Sequence, residues 1–175
     1  MTPPDLTPSQ QAMMRTLADH AKAETADRDL DATLATMTET PYLFLAPTLS
    51  GGEGSEGVRD FYRGLMRQLP QDFKLTPVTR TIGSDRVVTE YILTFTHNVA
   101  MDWLLPGLAP TGKRVETPMI IIFTFQGEKL ESERLYWDQA SMLMQLGVLE
   151  PGALPITGTQ SAQKLHQLTK GGVEV

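Results

Sequence analysis

One carboxylate, Asp138, follows directly on the apolar run Leu135, Tyr136 and Trp137. A carboxyl group at the mouth of an apolar pocket has its charged form disfavoured, so its pKa rises and it can serve as a general base. Aspartate is equally a favoured helix N-cap, and the Ser141 to Met144 stretch reads as the start of a helix. Both roles stay open on spacing alone. Alternation along Glu131 to Asp138 puts Glu133, Leu135 and Trp137 on one face of a strand and Arg134, Tyr136 and Asp138 on the other. Trp137 and Asp138 therefore point apart unless the strand bends. A second titratable side chain, His97, shares its strand face with Tyr91, Leu93 and Phe95. It is either a core ring satisfied by backbone or water, or a pocket acid, base or donor near neutrality. Trp103 opens an apolar stretch, Trp103 to Gly107, inside a loop, which suits packing on the domain or a lid over a pocket.

The remaining composition closes off other chemistries. There is no cysteine, which excludes disulfides and thiol catalysis, and His20, His97 and His166 have no metal-ligand spacing, so no metal is expected. A net charge of −6 with scattered Lys and Arg argues against nucleic acid. The longest apolar run, Met119 to Phe125, is too short to span a bilayer, and the start lacks a basic, then apolar, secretory pattern. A cytoplasmic protein without a membrane partner is expected. The glycine-rich Ser50 to Gly57 stretch lacks the Gly-Lys-Ser/Thr ending of a phosphate cradle and reads as a loop.

The elements that must hold these residues follow from periodicity. One helix is expected from Gln10 to Ala26, capped by Ser9, and a second carries Leu30, Leu34 and Met37 on one face, ended by Pro41. A short strand over Tyr42 to Leu45 and a third helix over Val58 to Leu69 come next. Four antiparallel strands then span Phe73–Ile82, Val87–Asn98, Lys113–Phe125 and Leu130–Trp137. A short helix over Gln139–Leu146 and a weak one near Ser161–Leu168 close the chain. This is an α+β fold in one domain over residues 1–175, with a core over 10–150 and a C-terminal extension over 151–175. A long curled sheet covered by helices on its concave face makes a cone whose mouth suits a small molecule.

Taken together, Arg28 to Leu34, Gly57 to Tyr62, the Thr96–His97 step, Pro110 to Val115, Gly127 to Leu130, and Tyr136 to Asp138 followed by Gln145, Leu146 and Gly147 form an ordered pattern. It resembles the SnoaL-like polyketide cyclase branch of the NTF2-like superfamily over roughly residues 10–150. That resemblance implies the NTF2-like cone, a deep pocket, a homodimer built through the sheet, and acid/base chemistry without a cofactor. It puts Asp138 in the position of the cyclases' acid/base aspartate and His97 in the pocket. The tail beyond Pro151 has no counterpart in those cyclases. The expected activity is a cyclase, isomerase or hydrolase acting on a small apolar carbonyl compound. Asp138 would take the proton, His97 or Tyr136 would bind the enolate oxygen, and Trp103, Trp137, Tyr91 and Arg134 would complete the site. The alternatives are a non-catalytic binder of an apolar ligand and a dimeric scaffold.

Overall fold

The computed structural model describes residues 6–152 and 154–169. Helix α1, Pro8–Ala21, starts at Thr7, whose hydroxyl accepts from Gln10 N while the Gln10 side chain accepts from Thr7 N. Proline at the first helical position needs no N–H partner, so this capping box, and not Ser9, sets the start. Met13, Leu17 and His20 form its buried stripe. The chain then widens into a π turn, Lys22–Asp27. The turn ends at Arg28, which takes a left-handed conformation with φ 52°. The Arg28 guanidinium donates to the carbonyls of Met66 and Leu69, fastening the turn to the end of a later helix. Helix α2, Leu30–Ala35, is capped by Asp29 and stops earlier than the sequence pattern suggests.

Met37 accordingly belongs to strand β1, Met37–Leu45, and Pro41 lies inside that strand, where the register shifts between Met37 and Tyr42. An irregularity of this kind is where a strand tolerates a residue without an N–H. The expected glycine loop is a short strand and a helix start instead: β2, Ser50–Glu53, pairs with β1, and α3 runs Gly54–Arg67. Glycine permits this because Gly51 has φ 131° and a Cβ there would lie 2.1 Å from the Leu43 carbonyl oxygen.

Strands β3 (Lys74–Ile82), β4 (Arg86–Thr96), β5 (Arg114–Gln126) and β6 (Lys129–Trp137) form the expected antiparallel run. Pro77 sits on the edge strand β3, again at a register shift. The sheet is larger and mixed, with strand order β2-β1-β6-β5-β4-β3, because β1 runs parallel to β6. It curls without closing. Its concave face meets α1 and α3 over one core that includes Leu45, Tyr62, Phe95 and Leu130. Helix α4, Gln139–Gln145, follows β6, and α5, Gln160–Thr169, lies on the convex face. There Ala162 is buried with Val78 and Ile92, so Ile92 is buried despite opposite parity to the core-facing Tyr91, Leu93 and Phe95. No helix among the described residues is long and apolar enough to cross a membrane.

Candidate functional site

Between α1 and the β3–β4 edge the cone opens into a cleft of about 660 Å³, walled by Met14, Leu17, Phe73, Leu75 and Tyr91. Leu17, Phe73, Leu75 and Tyr91 also line a smaller chamber of about 70 Å³ below it. Trp103, Met119, Ile121 and Phe123 complete the apolar wall of that chamber, and its polar residues include His20, Glu24 and Glu133.

These three side chains come from distant parts of the chain. His20 extends the buried stripe of α1, Glu24 is carried by the π turn one helical step further, and Glu133 points inward from β6. His20 Nε2 lies 2.8 Å from Glu133 Oε1 and 3.6 Å from Glu24 Oε2. The Tyr62 hydroxyl donates to Glu133 Oε1 at 3.1 Å and lies 3.0 Å from His20 Nε2. On the other side of the ring, Thr36 Oγ1 donates to the Thr33 carbonyl at 2.6 Å. It must therefore accept from His20 Nδ1, 2.7 Å away, which fixes that nitrogen as N–H.

The proton count then shows what the cluster does. With Nδ1–H committed to Thr36, His20 Nε2 and Glu133 Oε1 are both acceptors unless a further proton lies between them. Burial opposes charge on His20, but the Glu133 carboxylate bonded to it, together with Glu24 and the Thr33 backbone, outweighs burial and holds its pKa above the ordinary value. Burial, reinforced by repulsion from Glu133, pushes Glu24 up to about 7. Burial and the same carboxylates raise the Tyr62 phenol well above its usual range. A carboxyl group titrating near neutrality beside a bound proton is an acid/base pair fit for proton transfer. The ligand-capable atoms of His20, Glu24 and Glu133 lie within 4.8 Å of one another, so a cation is the rival occupant. The 2.8 Å contact is that of a shared proton.

The residues singled out in the sequence fall into three places. Trp103 and Tyr91 line the chamber. Trp103 carries a buried indole N–H without a protein partner, and burial raises the Tyr91 phenol despite the nearby Arg80 charge. His97 is buried at the end of β4, where Nδ1 accepts from Thr111 N at 3.3 Å, and it lines neither the cleft nor the chamber. Burial lowers its pKa, and Nε2 has no partner in the protein. Tyr136, Trp137 and Asp138 border a separate shallow groove on the convex side, with Pro118, Ile120 and Ser161. The cavity expected next to Trp137 and Asp138 is thus this groove, while the cone's chamber lies on the other side of the sheet. Asp138 caps α4: Oδ1 accepts from Ser141 N at 3.0 Å and Oδ2 from Ser141 Oγ at 2.6 Å. Trp137 Nε1 donates to Gln139 Oε1, and Arg134 is half-buried with an unpartnered Nε.

Sequence reasoning passed over His20, Glu24, Glu133 and Tyr62. A signal was present: Met13, Leu17, His20 and Glu24 continue one helical stripe at spacings of three and four, and Glu133 shares the inward parity of Leu135. A titratable group that occupies an apolar position needs a partner.

A helix-covered, curled sheet around an interior chamber is the ketosteroid isomerase-like, or NTF2-like, architecture. The structure aligns with a protein of ketosteroid isomerase-like fold from Catenulispora acidiphila, solved with trimethylamine, at TM-score 0.61 and 15% identity, covering 82% of this chain and 96% of that one. A putative SnoaL-like polyketide cyclase from Jannaschia aligns at TM-score 0.67 and 21% identity over 83% of this chain and 98% of the other. SalBIII, described as an epoxide hydrolase/cyclase-like enzyme with a role in pyran ring formation in salinomycin, aligns at TM-score 0.58 and 18% identity over 77% and 96%. No curated protein matches the sequence. The family model of the SnoaL-like polyketide cyclases matches residues 13–146, and the chain belongs to that family. Membership supports a function of the cyclase or isomerase type on a small molecule.

Proposed function

We propose that this protein is a cofactor-independent cyclase or isomerase that moves protons on a small, largely apolar carbonyl compound held in the cleft, with its reactive end at the chamber below. The observation that carries this reading is the near-neutral acid Glu24 beside the hydrogen-bonded His20–Glu133 pair, set in an otherwise apolar wall. Ionised Glu24 would take a proton from the carbon next to the carbonyl. Trp103 and Tyr91, on the same wall, carry donors suited to the developing enolate oxygen. His20 and Glu133 would return the proton after the bond has formed or moved.

Asp138 is the second candidate for the base, on the family pattern and its place beside the convex groove. Its two oxygens are taken up by Ser141, which favours the cap. Deuterium exchange into 2-tetralone, followed by proton NMR in D2O, separates the two. Acceleration by the wild type that is lost in Glu24→Gln and kept in Asp138→Asn supports the chamber. The reverse pattern moves the base to Asp138. No acceleration with any of a panel of bicyclic ketones, together with ligands recovered unaltered, would leave a binding module.

A further inference from the structure

Three cations, Arg15 on α1 and Lys74 and Arg80 on β3, line the cleft above the chamber, and no acidic residue lines it with them. That is unusual for this chain, whose net charge is −6. Elsewhere on the surface some basic residues pair with acids (Lys22 with Asp27, Arg59 with Asp31, Arg63 with Asp60, Arg114 with Asp72), while Arg67, Lys113, Lys129 and Lys164 stand singly; the cleft gathers three unpaired cations in one place. Among the described residues, none of the cleft cations lies within ion-pair distance of a carboxylate. Arg80 is half-buried, and its Nε donates to Thr89 Oγ1 at 3.0 Å, which holds the guanidinium at the junction marked by Tyr91.

The carboxylates sit at the other end. Glu24 and Glu133 line the chamber below, so the site is polarised along its depth: positive at the mouth, apolar through the middle, proton-sharing acids within. We propose that the ligand is an amphipathic organic anion, with an apolar carbonyl-bearing body in the cleft, its reactive end at the chamber, and a carboxylate or phosphate at the mouth against Arg15, Lys74 and Arg80. This rests on the reading that the chamber takes the substrate's reactive end, and it adds the substrate's charge and direction of entry. Repulsion from Glu24 and Glu133 keeps the anionic head out, and the cations draw it to the rim, so the reactive carbon meets the cluster in one orientation only.

Titration calorimetry at pH 7.5 with 2-naphthoate, 2-naphthyl phosphate and the neutral 2-naphthamide tests it. Partly exposed cations are individually weak, and three together give roughly a tenfold preference for an anion over the amide. The preference is expected to shrink to about parity in Arg15→Met/Lys74→Met, two exposed sites, and to fall as salt is raised. Arg80→Met serves as the half-buried counterpart. Equal binding of the amide and both anions to the wild type would overturn the anion proposal and leave the chamber reading standing. A preference that survives all three substitutions would likewise overturn it. Failure of every probe to bind would overturn both. The stronger of naphthoate and naphthyl phosphate identifies the head group.

Discussion

Replacing Glu24 with glutamine removes a carboxylate that the fold makes costly to ionise. Its pKa rises from an ordinary 4.5 to about 7, chiefly through burial and then through Glu133. An acid whose pKa is raised on folding contributes stability below its unfolded value, and that contribution disappears as pH climbs through the folded value. The rise corresponds to roughly 3 kcal/mol, of which about 2.5 kcal/mol is lost between pH 5 and pH 8. His20, also raised, acts in the same sense above its unfolded value of 6.5. Glutamine is nearly isosteric and does not titrate. Urea unfolding of wild type and Glu24→Gln at pH 5 and pH 8 should therefore show the variant gaining on the wild type by about 2 kcal/mol as pH rises, less whatever part of His20's shift depends on Glu24. Turnover should be absent from Glu24→Gln throughout, and in the wild type should rise as Glu24 ionises between pH 5 and pH 8. A difference between the two proteins that is independent of pH would refute the account of Glu24 as a strained, near-neutral acid.

The remaining expectations concern the frame around that acid. Tyr62→Phe deletes the hydroxyl that donates to Glu133, and should cost about 1–3 kcal/mol by urea unfolding; an unchanged midpoint would mean that Glu133 is satisfied without it. Gly51→Ala places a methyl group against the Leu43 carbonyl at a left-handed φ, so a loss of about 2 kcal/mol or more is expected in thermal melts, and a neutral result would contradict the tight β1–β2 turn. The homodimer proposed from the family would use the open part of the convex face, where Phe44, Ile120 and Tyr136 are exposed. Sedimentation velocity of Ile120→Glu should then show monomer where the wild type shows dimer, and identical profiles would remove this face from the interface.

Much of the frame was legible because period-two and helical spacing survive in the sequence. The alternation of Tyr91, Leu93 and Phe95 predicts an inward face, and all three are buried. The four-strand run was legible for the same reason. Pairing of β1 with β6 was not: parallel neighbours are chosen by long-range packing, and nothing local in Met37–Leu45 names its partner. The β2 strand was hidden by glycines, which suit a loop and a close backbone approach equally well. The site was half legible. Trp103 and Tyr91 stand out as large apolar residues needing cover, and both line the chamber. His20, Glu24 and Glu133 each look ordinary alone; only the fold shows that they meet.

The parallel pairing of β1 with β6 also bears on when this protein becomes competent. His20 comes from the first helix and Glu133 from the last strand, so the bonded pair joins the two ends of the core. A ribosome-bound chain that has not yet released β6 has α1 and β1 but lacks their counterpart, and its His20 faces no carboxylate from that strand. Such non-local closure is slow and comes late in folding. The apolar lining of the cone stays open to other molecules until β6 docks, which makes the interval before docking the window for aggregation. Assembly of the His20–Glu133 pair and shielding of the core are then a single event.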